Sequence, residues 1–126
     1  QKDIDSGRSI AHALAGFDIG QSVAICERAC VALEAMEGTD EMLQRAAALV
    51  RGRPLTLVKA ATRRRHLLFD VPVVGPQTIR TMQTSGATAL AIDAGRTLLL
   101  DRAEMLRLAD AASIAVLACA PLEQRL

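Results

Sequence analysis

Seven positive side chains, Arg45, Arg51, Arg53, Lys59, Arg63, Arg64 and Arg65, fall between Glu41 and Asp70 with no acidic residue among them. Such a stretch attracts phosphates or another acidic partner. Arginine outnumbers lysine thirteen to two in the chain, and its planar fork matches phosphate oxygens. A solvated basic loop, or a patch that meets a partner domain, reads the same run equally well. Asp70 closes it beside the Pro-restrained segment Val71-Pro72. A carboxylate there can hold a divalent cation or orient a water for attack on phosphorus; by position alone it is a turn-capping residue. Gly75-Pro76-Gln77-Thr78 follows. A strand running into Gly-Pro and then a helix leaves backbone N–H groups which, with the Thr78 hydroxyl, suit a phosphate oxygen. An ordinary helix start explains the same four residues. Glu34 and Glu37 flank the exit of a hairpin and can join Asp40 around a metal, although Asp40 also suits the positive end of a helix dipole. His12 borders an apolar helix face and suits a surface or interface role. No serine elbow and no His/Cys pairing supports acyl transfer.

These residues must be positioned by a chain of 126 residues with a formal charge of +1, one domain by length. Half of it is hydrophobic but only 2% is aromatic. The core is therefore aliphatic and alanine-rich, and a stacking platform for single-stranded nucleic acid is excluded. A whole-chain charge near zero argues against nucleic-acid binding in general. No run approaches the roughly 18 apolar residues of a membrane span, and the polar opening Gln1-Lys2-Asp3-Ile4-Asp5 does not read as a signal peptide. Because the first residue is not Met, a preceding segment is expected. Cys26, Cys30 and Cys119 are expected to be reduced thiols acting as small core residues.

Ile10, Ala13, Leu14 and Phe17 mark one face of a helix over 6–17, started by Asp5 or Ser6. Ser22–Glu27 and Cys30–Ala35 read as a hairpin turning at Arg28-Ala29. Thr39 is expected to cap a helix buried through Leu43, Ala46, Ala47 and Val50, ending at Arg51-Gly52. A strand at Leu55–Ala61 precedes the basic run. A helix from Gly75-Pro76 to Ser85 turns Ile79 and Met82 inward and closes at Gly86. Strands are expected at Ala87–Ile92 and Thr97–Leu100, with a turn at Asp93-Ala94-Gly95-Arg96. Asp101 and Glu104 form a capping-box pair for a helix burying Leu106, Ala109 and Ala112. Ile114–Cys119 is a last strand. The interleaving predicts an α/β domain, at the border of α+β, with helices packed on a mixed sheet.

Five segments in this order complete a pattern: Asp18–Val23, Glu34-Ala35-Met36-Glu37-Gly38-Thr39-Asp40, Val58-Lys59, Phe69-Asp70-Val71-Pro72-Val73-Val74-Gly75-Pro76-Gln77-Thr78, and Ala94–Asp101. Over 18–119 the chain resembles the C-terminal domain of the calcium/magnesium-type UDP-2,3-diacylglucosamine pyrophosphatases of alphaproteobacteria. The resemblance implies hydrolysis of the substrate's diphosphate to UMP and 2,3-diacylglucosamine 1-phosphate, a step of lipid A biosynthesis. It implies a divalent cation such as Mg²⁺ and a glycolipid bound against an N-terminal domain that is absent from this chain. It also implies a homodimer in the cytoplasm or at the inner membrane's periphery. Asp70 matches the carboxylate essential for hydrolysis and is expected to bind metal together with Glu37 and Asp40. Lys59, Gly75 and Thr78 match positions suited to the diphosphate, with Arg65 beside them. The family pattern carries a carboxylate and an arginine where this chain has His66 and Leu68. Either Arg63–Arg65 compensate, or the chain is a paralogue with altered activity. The competing expectation is a non-catalytic binding or oligomerisation domain that docks a phosphorylated ligand or acidic partner.

Overall fold

The computed structural model describes residues 2–17, 19–61 and 72–120. Helix α1 (Lys2–Gly16) leads into the hairpin β1 (Ser22–Cys26) and β2 (Ala29–Leu33), followed by α2 (Thr39–Val50) and β3 (Leu55–Lys59). Then come β4 (Val73–Val74), α3 (Pro76–Ser85), β5 (Ala87–Asp93), β6 (Leu98–Leu99), α4 (Arg102–Ala111) and β7 (Ala115–Cys119). Five strands form one sheet in the order β2-β1-β3-β5-β7, and β4 and β6 form a small parallel ladder of their own. Strand β1 runs antiparallel to β2 and β3, whereas β3, β5 and β7 are parallel. The sheet is mixed and the class is α/β, as expected.

Alternation along the central strands assigns the two faces. Ala24 and Cys26 of β1, Leu55 and Leu57 of β3, and Leu90 and Ile92 of β5 pack with Met42, Leu43, Ile79, Met82 and Met105 of α2, α3 and α4. Val23, Ile25, Val58 and Ala91 point the other way and meet Ile4, Ala11 and Leu14 of α1. Three helices therefore cover one face and α1 covers the other.

Several local expectations shift. Helix α1 begins at Lys2, which places Asp5 and Ser6 inside it and not at its cap. Its buried stripe is Ile4, Gly7, Ala11, Leu14 and Ala15, while Ala13 and Phe17 are exposed. The short side chains of Gly7 and Ala11 let the helix lie close to the sheet, so the small residues and not Phe17 face inward. The hairpin turns one residue earlier, at Glu27-Arg28, where both residues have positive φ (50° and 68°). That is the twist a two-residue hairpin needs, and the Arg28 N–H donates to Asp3 Oδ1 at 2.7 Å. Gly38 occupies the N-cap of α2, and Thr39 is already helical. Helix α3 and its closing Gly86, at φ 80°, lie where the sequence predicts them. Asp101 does not cap α4 through its side chain: it sits at φ 45°, and Glu104 binds Arg107 instead. Met105 and Ala109 fill the core below α4, with Leu106 largely outside. Cys26 is buried, but Cys30 is exposed on edge strand β2 and is not a core residue; both are free thiols, as is Cys119.

Candidate functional site

Open α/β sheets bind ligands outside the carboxyl ends of their parallel strands. Here that edge collects the ends of β3, β5 and β7, together with the start of β1, because β1 runs antiparallel and pairs Ser22 with Lys59. Lys59 is the last residue of β3, on the same face as Leu55 and Leu57. Its side chain is only 9% exposed. Nζ donates to the Val73 carbonyl at 3.2 Å, which draws β4 over the end of β3. Burial pushes the Lys59 pKa down, and the negative charges of Glu34 and Asp40 offset only part of that shift.

A hydrogen-bonded line runs beside the ammonium. Thr39 Oγ1 donates to Glu34 Oε2 at 2.6 Å, and Ser22 Oγ lies 3.2 Å from Thr39 Oγ1. An ionised carboxylate only accepts, so the Thr39 proton goes to Glu34 and fully buried Ser22 donates to Thr39. The backbone fixes the same cluster. Glu34 N–H donates to the Ser22 carbonyl at 2.9 Å, and a side chain at Gly20 would collide with the Glu34 carbonyl. Only glycine permits that approach of the two chains.

Two residues beyond the carbonyl that receives Lys59, Gly75 opens α3. Its N–H donates to Thr78 Oγ1 at 3.1 Å, so the threonine closes the first turn. Gly75 is buried against Leu100, whose Cβ would lie 3.1 Å from a Cβ placed at Gly75. Leu100 N–H in turn donates to the Val74 carbonyl at 2.9 Å. The β4–β6 ladder thus presents the N-terminus of α3 beside a buried ammonium, an electropositive place for phosphate oxygens.

A profile of the LpxI C-terminal domain family matches residues 1–117. The chain belongs to this family. It is similar to the UDP-2,3-diacylglucosamine pyrophosphatase LpxI of Caulobacter vibrioides, with 36% identity over 129 residues, 97% of this chain and 46% of the relative. The chain spans about half the length of that curated relative.

Within this LpxI C-terminal domain, the expected site residues do not all meet. Lys59, Gly75 and Thr78 share the carboxyl edge, linked through Val73. Asp40, in the first turn of α2, is close enough for its charge to act on Lys59. Glu37 is engaged elsewhere: its carboxylate pairs with Arg45, which also donates to the Leu33 carbonyl at 3.0 Å. Arg53 pairs with Glu27, so part of the basic run is spent on neighbouring carboxylates. Asp70 and Arg65 lie outside the described residues. Among those that are described, no three His, Cys, Asp or Glu side chains gather into a metal site. The oxygens of Glu34 and Asp40 are nonetheless the hard donors that a cation such as Mg²⁺ takes.

Ser22, inside the Asp18–Val23 segment, and Asp93 belong to this edge and were not among the expected site residues. Asp93 is the last residue of β5 and 2% exposed, not part of the following turn. It accepts from Ala61 N–H at 2.9 Å, from Arg8 Nη2 at 3.3 Å and from His12 Nε2 at 3.2 Å. Burial raises its pKa, but the bonds from His12, Ala61 and Arg8 outweigh burial and hold the carboxyl below its usual range. The available signal was the run Ala87–Ile92, which one polar residue extends without interruption. No helix among the described residues is long and apolar enough to cross a membrane.

Proposed function

We propose that this chain is the phosphate-handling part of a UDP-2,3-diacylglucosamine pyrophosphatase of lipid A biosynthesis. The observation that carries the reading is the buried ammonium of Lys59 beside the N-terminus of α3, on an edge whose residues match the family pattern. In the reaction, a water oxygen forms a bond to one phosphorus and the bridging P–O bond breaks. UMP and 2,3-diacylglucosamine 1-phosphate leave, with the water's second proton passing to solvent. Lys59, with Arg65, neutralises the diphosphate. The Gly75–Thr78 turn receives a phosphate oxygen through backbone N–H groups and the Thr78 hydroxyl. Asp70 orients the water. Charge placed in advance where it develops supplies most of the rate.

Asp70 and Asp40 would hold a Mg²⁺ ion, with Glu34 nearby, whereas Glu37 is committed to Arg45. Such an ion supplies charge neutralisation on the phosphoryl oxygens. In this reading a separate N-terminal domain completes the glycolipid site, in a homodimer working in the cytoplasm at the inner membrane's periphery.

Asp70→Asn in the full-length protein is expected to fold normally and to lower metal-dependent UMP release by at least about a thousandfold. Near-normal turnover in that variant would sink the assignment. Saturable pyrophosphate binding with no UMP release by the wild-type full-length protein would favour the non-catalytic docking domain instead.

A further inference from the structure

The Arg8–His12–Asp93 cluster lies on the α1 side of the sheet, across from the phosphate-handling residues, and the proposed reaction does not use it. It is built with care for a feature that only fastens a helix. One carboxylate, 2% exposed, receives Arg8 and His12 from α1 and the Ala61 N–H from the exit of β3. Arg8 also donates to the Ala120 carbonyl, just past β7. Ala94 N–H donates to the Cys119 carbonyl at 2.8 Å, tying the same corner to β7 again. The ends of all three parallel strands therefore meet at Asp93.

The bond to Ala61 has a consequence on the opposite face. Lys59 lies two residues before Ala61, and Ala60 N–H is held by the Gln21 carbonyl at 2.8 Å. The backbone that leaves Lys59 is thus pinned twice in succession, by Gln21 on the β1 side and by Asp93 on the β5 side. With 59–61 fixed, the long side chain of Lys59 is directed toward Val73, whose carbonyl its Nζ reaches at 3.2 Å. Without the Asp93 bond, the end of β3 is free to fray and the ammonium to swing away from the oxygens it must meet. A misplacement of about 1 Å is enough to cost orders of magnitude in rate.

We propose that Asp93 is a positioning residue that sets the reach of Lys59 through Ala61, with Arg8 and His12 holding the carboxylate aimed. The proposal rests on the reading of Lys59 as the diphosphate-binding cation, and a double-mutant cycle in the full-length protein separates the two. The readout is kcat/KM for UMP release from UDP-2,3-diacylglucosamine, taken well below each variant's unfolding temperature. Asp93→Asn is expected to lose at least about tenfold, and to lose almost nothing further when Lys59 is already Met, because coupled sites are non-additive. A purely structural Asp93 gives the same fold-loss in both backgrounds, which overturns the proposal. Wild-type kcat/KM in Asp93→Asn overturns it as well. Wild-type kcat/KM in Lys59→Met instead refutes the reading of Lys59, and the proposal falls with it. If Asp93→Asn does not fold, His12→Leu takes its place. A loss of at least about threefold that vanishes in the Lys59→Met background supports positioning; equal losses in both backgrounds overturn it.

Discussion

Lys59 spends stability to keep an ammonium where water is scarce. Burial favours the neutral amine, and the charges of Glu34 and Asp40 counter it in part. With the folded pKa below the unfolded one, the penalty is present while the group is protonated and is relieved as pH rises through the folded value. Lys59→Met keeps the shape and removes the charge. Its unfolding free energy at neutral pH is expected to be unchanged or higher by about 1 kcal/mol in urea titrations, while kcat/KM falls at least about a hundredfold. That pair of outcomes would mark Lys59 as a residue placed for function at the cost of stability. Lys59 was legible in the sequence as one of the seven positive charges between Glu41 and Asp70 and as the lysine of the Val58-Lys59 segment of the family pattern. Asp93 was not: Asp-Ala-Gly-Arg is also good turn chemistry, and nothing local reveals that Arg8 and His12, 85 and 81 residues away, will meet it.

Helix α1 shows how an element's orientation is decided by contact and not by the size of its apolar residues. Gly7 sits over β1 and β3 with no room beneath it: a Cβ there would lie 2.6 Å from Val58 Cγ2 and 3.0 Å from Ile25 Cγ1. Val58 is β-branched and stiff at χ1, so it cannot turn aside cheaply. Gly7→Ala would normally strengthen a helix, yet here it is expected to lower the unfolding free energy by about 1–3 kcal/mol through overpacking. Calorimetry on the variant checks the sign. A gain in stability would mean that α1 lifts from the sheet without cost. The periodicity of 6–17 revealed a helix but pointed Phe17 inward, because spacing alone does not say that the sheet comes too close for a ring. Helix α3 was fully legible, since Gly75-Pro76 and Gly86 punctuate it by local backbone chemistry.

Asp93 ties α1 to the ends of β3 and β5, and acid should reveal it. Asp93 has a folded pKa below its unfolded value of about 3.9, so its contribution is complete above that value and is lost as pH falls through the folded pKa. At neutral pH, Asp93→Asn leaves Arg8 without its counter-charge and weakens the bonds to His12 and Ala61, and is expected to cost about 3 kcal/mol. Urea midpoints of variant and wild type should converge below about pH 4. A constant gap across that range would show that the carboxylate's charge is not what holds α1 to the strand ends.

The sequence by itself determined the interleaved elements, the α/β class and the candidate residues Lys59, Asp70, Gly75 and Thr78, because hydrophobic period, Gly-Pro punctuation and motif order are written in neighbouring residues. Tertiary structure alone decided which of the described candidates meet. Strand order placed Ser22 beside Lys59, a ladder of two short strands carried Gly75 to the same edge, and Arg45 withdrew Glu37 from it. Asp93 became a hub for the same reason. Hydrogen bonds between residues distant in the chain depend on where the strands end in space, and no local pattern encodes that.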